Sequence, residues 1–558
     1  AGLAVTGADP TALLPTETGL AASLLLQGDA VHYGGRVALP SGVISIRQLG
    51  DAANPVADER IDIGPGALID VAGITQQFGP ETFVTDGGHI HLQAETGDIN
   101  VGEGSGFNVS AGDVGGEAGG IRFDAANGQL SISSAAVLQA GGHGGSFMLD
   151  TNRLEVDTIN DSTAYTELSR LLGGNFSDHR AIRLRDQGMV HDESLSVHAH
   201  NVHLVSDNES IAIRGLIDAS GQGVDTVRKN GGSIVLAAGD VIDIESAAVL
   251  RATGAPDDGD KPAIATRGGT VEFFALDADN DDPGAVSDRV NLMSGAVIDV
   301  SGGGNPVHAA EDFLVTAEQR LGGRVRLHTR LLDAGAGSFV LGDLNATIIG
   351  AAAADMVVTG TTSITDAVID SADIAALRST TQTLMQNAVT SVNGFRVVPG
   401  LLLESTQALT LKDEWDFYGS DTAGGWHFGE TASAPGVAGY LTIRAAGDIH
   451  FQQNLTDSFH TVPLSIFFGG DLVDRLDTSP EAWDLNVVAG SDLGGADLAA
   501  TQSGVGDIRL DPGVVIRTGT GDINIATGND IALEPEAAIY TAGYDRGLSQ
   551  NMPVSYTH

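Results

Sequence analysis

The chain has no cysteine, only three lysines, only three tryptophans and no apolar run long enough to span a bilayer. The first absence excludes a disulfide scaffold, thiol catalysis and cysteine-ligated metal centres. It also fits a chain exported unfolded through a pore, where a premature disulfide would obstruct passage. The lysines are Lys229, Lys261 and Lys412, and 28 basic residues face 73 acidic ones, for a net charge of −45. Such a surface repels nucleic acid and anionic lipid and attracts cations, so nucleic-acid binding is excluded. The longest apolar candidate, "TIIGAAAADMVV", is short and broken by Asp355. No signal-peptide pattern stands at the start, where Ala1 replaces an initiator Met, and the sequence reads as an interior or processed piece of something longer.

What the chain does contain is glycine, 75 of 558 residues, with an apolar content of 42% that is ample for a core. The stretch "GGHIHLQAETGDINVGEGSGFNVSAG" (87–112) holds three short alternating segments, carried by Ile90 and Leu92, Ile99 and Val101, and Phe107 and Val109. Period-two alternation predicts strands, and strands so short must find partners elsewhere in the chain. The plan recurs in "GGSIVLAAGDVIDIESAAVLRATG" (231–254), with inward candidates Ile234, Leu236, Ile242, Ile244, Val249 and Leu250, and again across 268–304. Its closing phrase is "GALIDVAG" at 66–73, "GLIDASG" at 215–221 and "GAVIDVSG" at 295–302. A Gly-Asp-Ile turn recurs in "TGDINV" (96–101), "VGDIRL" (505–510) and "TGDINI" (520–525).

Repeats of about 20–40 residues predict a solenoid in which each strand pairs with the equivalent strand of the next repeat, about 4.8 Å away. Glycine is expected at the corners for its positive φ, and Asp or Asn to hydrogen-bond the turn backbone. The expected fold is all-β, a right-handed parallel β-helix solenoid with short helical insertions. Three segments carry helical spacing instead: "STAYTELSRLLGG" through Tyr165, Leu168 and Leu172, "AAEDFLVTAEQRLGG", and "SADIAALRSTTQTLMQNAV" through Ile374, Leu377 and Leu384. They predict helical loops packed outside the shaft. The expected division is β-helix at 1–160, a helical insertion and return at 161–190, and β-helix at 191–304. A second insertion follows at 305–321, then β-helix at 322–366, a third insertion at 367–392 and β-helix from 393 to 558. No capping signal closes the last residues, so continuation of the solenoid is expected.

The "GxIDxSG" closures, the "GGxIxLxAAGD" strands and the passage "VVPGLLLESTQALTLKDEWDFYG … GYLTIRAAGDIHFQQNLTDSF" resemble the filamentous-haemagglutinin class of large exoproteins of two-partner secretion systems. The resemblance covers nearly the whole chain. It implies a right-handed parallel β-helix, export through a dedicated outer-membrane pore protein of a Gram-negative bacterium, and secreted or cell-surface roles in adhesion, cell contact or filament formation. Partners implied are a host or neighbouring-cell surface or its glycans. The family's secretion domain carries Asn-Pro-Asn motifs; here only "NPV" occurs, at 54–56 and 305–307, so that domain is expected to be missing from this piece.

Parallel β-helices also serve as polysaccharide lyases and hydrolases, which makes a polysaccharide-active enzyme the alternative reading. "GHG" at 142–144 matches a fragment of a polygalacturonase motif, but the paired aspartates occur only later, at 257–258 and 281–282, and no Arg-Ile-Lys follows. No catalytic residue is therefore assigned, and the chain is read as a non-enzyme. The one metal candidate is "DADNDDPG": Asp277, Asp279 and Asp281 alternate as hard-oxygen ligands do in calcium loops. Asp282 stands where such loops need Gly, and Asp288 where they use Glu, so a solvated acidic loop competes with calcium as the reading. His89 with His91, and His198 with His200, share strand faces without an evident third ligand. Trp415, Trp426 and Trp483, amid Phe417, Tyr418 and Phe428, fit either a glycan-stacking platform or a satellite core. The uncapped end predicts end-to-end self-association.

Overall fold

The computed structural model describes residues 3–5, 20–50, 59–112, 115–222, 229–256, 266–276, 288–303, 322–419, 425–428, 436–463, 472–476 and 481–543. The chain divides into two compact units, Ala1–Arg326 with Gly342–Ala354, and Leu327–Leu341 with Asp355–His558. The fold is all-β with mainly parallel sheets, and two helices occur among the described residues.

In the first unit the short strands of the repeats pair in parallel with their counterparts one repeat away, while Thr75–Phe78 and Glu81–Val84 form an antiparallel hairpin. Ile90 and Leu92 sit between Ile44 and Ile46 on one side and Ile121 and Phe123 on the other. The same holds in a four-stranded sheet of Met189–His191, Ile211–Ile213, Ile242–Ile244 and Val290–Leu292. A five-stranded sheet runs through Ser196–His198, Leu216–Asp218, Val249–Arg251, Val297–Asp299 and Thr347–Ile349. Alternation sends every second side chain inward, where Ile234, Leu236, Ile242, Ile244 and Leu250 are fully buried. Each such burial contributes about 1.5–3 kcal/mol. Val249 departs from the expectation: it occupies the outward position of its strand, and Leu250 takes the inward one. A column of rings, Phe107, Phe123, Phe147 and Phe176, runs through this core with edge-on contacts at 5.5, 5.9 and 5.6 Å.

The recurring phrases have separate physical causes. In the closing phrase the Asp turns back on its own chain: Asp70, Asp218 and Asp299 each accept a hydrogen bond from the N–H two residues on, at 3.0, 3.0 and 3.1 Å. In the Gly-Asp-Ile turn the Asp reaches the neighbouring repeat. Asp98 accepts from Gln129 N at 2.8 Å, Asp448 from Asp507 N at 2.8 Å, and Asp507 from Asp530 N at 3.0 Å. Glycine plays two parts. Gly66 and Gly104 have φ of +68° at corners, as expected. Glycines of the "GG" pairs instead permit close approach. A Cβ on Gly88 would lie 1.9 Å from Gly42 O, on Gly119 1.8 Å from Gly88 O, and on Gly269 1.9 Å from Gly232 O.

Helix α1 (Ala164–Leu172) falls within the expected 161–190 insertion and buries Tyr165, Leu168 and Leu172. In the second unit, helix α2 (Ser371–Asn387) lies within 367–392. Its N-terminus is a capping box, with Asp370 accepting from Ala372 N and Asp373 N while Asp373 accepts from Asp370 N. It buries Leu377 and Leu384 and packs Ile374 against the core. The insertion expected at 305–321 lies outside the described residues.

The second unit repeats the pairing rule. Val368–Ile369, Leu409–Leu411, Ile449–Phe451, Ile508–Leu510 and Ile531–Leu533 form one parallel sheet. Trp415–Asp416, Leu455–Thr456, Val515–Thr518 and Ala538–Thr541 form another. Phe395–Ser405, Tyr440–Ala445, Asp484–Ala489 and Ile523–Thr527 pair in the same sense.

Candidate functional site

The densest chemistry among the described residues lies in the second unit, where strand ends deliver five aromatic rings and one carboxylate to a single place. Trp415 opens one strand and Phe417 follows it, and Trp483 precedes another. Trp426 and Phe428 belong to a returning segment tied back by Trp426 N to Phe417 O at 2.8 Å. Trp415 stacks on Phe417 at 5.2 Å, and Phe417 meets Trp483 at 4.7 Å. All five rings are buried, so the tryptophan group is a core cluster and presents no stacking platform to a glycan. Trp483 Nε1 donates to Trp426 O at 3.0 Å, satisfying the indole in its apolar setting.

Asp457 sits fully buried beside this cluster. One oxygen accepts from Ser458 N at 2.6 Å and the other from Trp483 N at 2.7 Å. Loss of water pushes its carboxyl up to about 6, against the opposing pull of His427, whose Nε2 lies 3.9 Å away. That nitrogen donates to Glu481 O at 2.8 Å, which fixes the ring. Glu481 in turn accepts from Arg396, itself bound to Asp355 at 2.8 Å. With each carboxylate oxygen bound to a backbone donor, Asp457 serves as a clasp holding three chain segments. Nothing in "NLTDSF" marks Asp457 in the sequence, because its partners come from residues 427 and 483.

A second buried ionic group lies on the strand Tyr440–Ala445. Arg444 is 1% exposed and donates to Glu404 at 3.0 Å, Ser491 Oγ at 2.9 Å and Asp492 O at 2.6 Å. Burial raises the Glu404 carboxyl above its ordinary range despite the guanidinium beside it. In the first unit, His191 is fully buried under α1. Its Nε2 faces two carbonyls, Leu195 O and Leu216 O, at 3.2 Å each, so Nε2 carries the proton and Nδ1 accepts from Tyr165 Oη at 3.3 Å. Burial pulls His191 down to about 4 and pushes Tyr165 up to about 12.

The sequence candidates distribute as follows. Asp277, Asp279 and Asp281 lie outside the described residues. His143 of "GHG" is exposed at the start of a strand, between Gly142 at φ +110° and Gly144 at φ +77°, a turn geometry. His91 points outward and meets Asp124 at 2.6 Å, where Arg122 also binds at 2.7 Å, while His198 stands 3.7 Å from Asp218. These contacts hold Asp124 below the usual carboxylate range against the cost of its burial. Among the described residues no group of three or more His, Asp or Glu could hold a metal ion. Two open grooves among the described residues hold about 350 Å³ beside Arg36, Leu68 and Phe107, and about 370 Å³ beside Arg153, Asp186 and Met189. No helix of the described residues is long and apolar enough to cross a membrane. No family model, curated protein or solved structure matches the chain.

Proposed function

We propose that the chain is a right-handed parallel β-helix forming the structural shaft of a large secreted or cell-surface exoprotein of the filamentous-haemagglutinin type. Its work is adhesion, cell contact or extracellular filament formation, after export through an outer-membrane pore protein of a Gram-negative bacterium. The observation that carries the reading is the register. Strand after strand pairs in parallel with its own repeat, and buried apolar columns fill the space between. Supporting it, the ionisable groups held at unusual protonation, Asp457 and His191, are fully engaged in fixing the chain. A cysteine-free, acidic repeat suits passage through a pore and solubility afterwards.

The test is removal of the coding segment from its producing bacterium. Fractionation of the unmodified bacterium should find the chain at the cell surface or in the medium, and removal should weaken attachment to cells or glycan-coated surfaces. A chain recovered only from the cytoplasm overturns the reading. So does release of unsaturated uronate from pectate or alginate by the purified protein, which would establish the enzyme alternative. Calcium at Asp277, Asp279 and Asp281 belongs to the same proposal. A calcium-dependent rise in melting temperature is expected, and it should vanish when all three become Asn; no rise in the native chain removes calcium from the account.

A further inference from the structure

Two serines stand among the described non-glycine residues at positive φ, and their hydroxyls are treated differently. Ser41, at φ +55°, has its Oγ hydrogen-bonded to Thr85 Oγ1 and Asp86 O at 2.7 Å each. Ser458, at φ +65°, is fully buried and its Oγ has no hydrogen-bond partner. An unpaired buried hydroxyl and a positive φ on a residue with a side chain both cost stability, and such costs collect at functional sites. The fold makes room for this hydroxyl. Gly519, in the next row, lies so close that a Cβ there would fall 2.6 Å from Ser458 Oγ. The peptide bond before Ser458 is marked as well: its nitrogen donates to the Asp457 side chain at 2.6 Å, and the second oxygen of that carboxylate is held by Trp483 N at 2.7 Å. Two adjacent residues thus bring together a free hydroxyl, a strained backbone and a buried carboxyl seated on the amide nitrogen.

We propose that the Asp457–Ser458 peptide bond is a self-processing site, cut by the Ser458 hydroxyl. Oγ attacks the carbonyl carbon of Asp457 and forms a C–O bond, while its proton passes to the Asp457 side-chain carboxylate. The carboxyl hands that proton to Ser458 N as the C–N bond breaks. The product is an isomer of the starting chain, with Asp457 esterified to Ser458 Oγ and Ser458 N a free amine. Water then hydrolyses the ester, leaving a main-chain carboxylate on Asp457 and restoring the Ser458 hydroxyl. Opening the peptide link releases the constraint on φ of Ser458, which favours the shift over its reversal. Burial raises the Asp457 carboxyl to about 6, near enough to neutral pH for one group both to take and to give the proton. Both pieces stay together until denatured, because Leu455–Thr456 pairs with Trp415–Asp416 before the cut and with Val515–Thr518 beyond it. The cut is made once, by the chain on itself, and is independent of the exoprotein reading, whose tests are export and attachment.

The purified 558-residue chain, incubated at neutral pH, should run as one species under native conditions and as fragments 1–457 and 458–558 on a denaturing gel. Mass spectrometry should find the two fragments together heavier than the intact chain by one water, with the smaller beginning at Ser458. Hydroxylamine should speed the cut and leave a hydroxamate on Asp457, the mark of an ester intermediate. Ser458→Gly removes the nucleophile and suits the positive φ, so cleavage should stop while the melting temperature holds. Ser458→Cys should still cleave, and Asp457→Asn should slow the cut at least about 100-fold. The Pro40–Ser41 bond, whose serine hydroxyl is already engaged, should stay whole. A chain that remains intact in hydroxylamine overturns the proposal, as does cleavage at the same bond in Ser458→Gly. An undiminished rate in Asp457→Asn overturns the part given to the carboxyl.

Discussion

Single residues in this chain are held at unusual protonation by burial, and the two units should answer acid in opposite directions. His191 is depressed from 6.5 to about 4, so its contribution to stability is present above 6.5 and is lost as pH falls through 4. The shift corresponds to about 3 kcal/mol of the first unit's stability. Asp457 is raised from 3.8 to about 6, so the second unit gains from its protonation as pH falls, and Glu404 acts in the same direction. Hydrogen exchange, corrected for intrinsic rates, should accelerate around Met189–His191 between pH 7 and 4.5 and slow around Trp483. His191→Gln should remove the first effect; movement of both regions in the same direction refutes the assignment. Arg444 offers a second residue-scale test. Arg444→Ala strands the Glu404 carboxylate and should cost about 3–5 kcal/mol in denaturant unfolding of that unit, whereas Arg444→Met with Glu404→Gln should recover most of the loss.

At the scale of the element, the rows are stitched by features that recur because every row meets the same neighbours. A Cβ at Gly269 would lie 1.9 Å from the Gly232 carbonyl oxygen, far inside van der Waals contact with backbone that cannot step aside. Gly269→Ala should therefore destabilise the first unit by about 2–3 kcal/mol, although alanine is harmless at an exposed strand position. Asp507 accepts from Asp530 N and from Asn529 Nδ2 at 2.7 Å, joining the last two rows of the second unit. Asp507→Ala should cost about 1–2 kcal/mol and raise exchange first in Ile531–Leu533, the row it anchors. Equal exchange across all rows would show that this bond is not what holds the last row. The helices obey a different rule. Each turns its apolar side onto strands and leaves its polar side to water, α2 through Leu377 and Leu384.

For the molecule as a whole, the dominating quantity is a net charge of −45 on a chain with 28 cations. Outward carboxylates already use arginine and histidine where they can: Asp62 binds Arg60 at 2.6 Å and His32 at 2.7 Å, and Asp150 binds Arg185 at 2.7 Å. The remaining acidic groups repel one another, so melting temperature should rise as NaCl goes from about 0.01 to 0.3 M, where the screening length falls below about 10 Å. A melting temperature that is flat or falling over that range would mean the charges are already neutralised by bound cations or by pairing.

Alternation of residues determined which side chains are inward. Ile90, Leu92, Ile99, Val101, Phe107 and Val109 are all buried, as their spacing requires. The repeated phrases determined the partners, because identical rows stack most simply on one another. Helical spacing located α1 and α2, and the "DSAD" start of α2 carries its capping box. Local pattern could not assign Val249 and Leu250, adjacent and equally apolar, of which only Leu250 is inward. Nor did it tell a glycine needed for positive φ from one needed because a carbonyl of the next row lies where its Cβ would be. The buried ionic centres were invisible for the same reason. Asp457 meets His427 and Trp483, and Arg444 meets Glu404 and Ser491, only after strands distant in sequence have stacked. A strand's inward face is a property of a few neighbouring residues, which sequence records. The solvation of a charge is a property of everything folded around it, which only the tertiary structure decides.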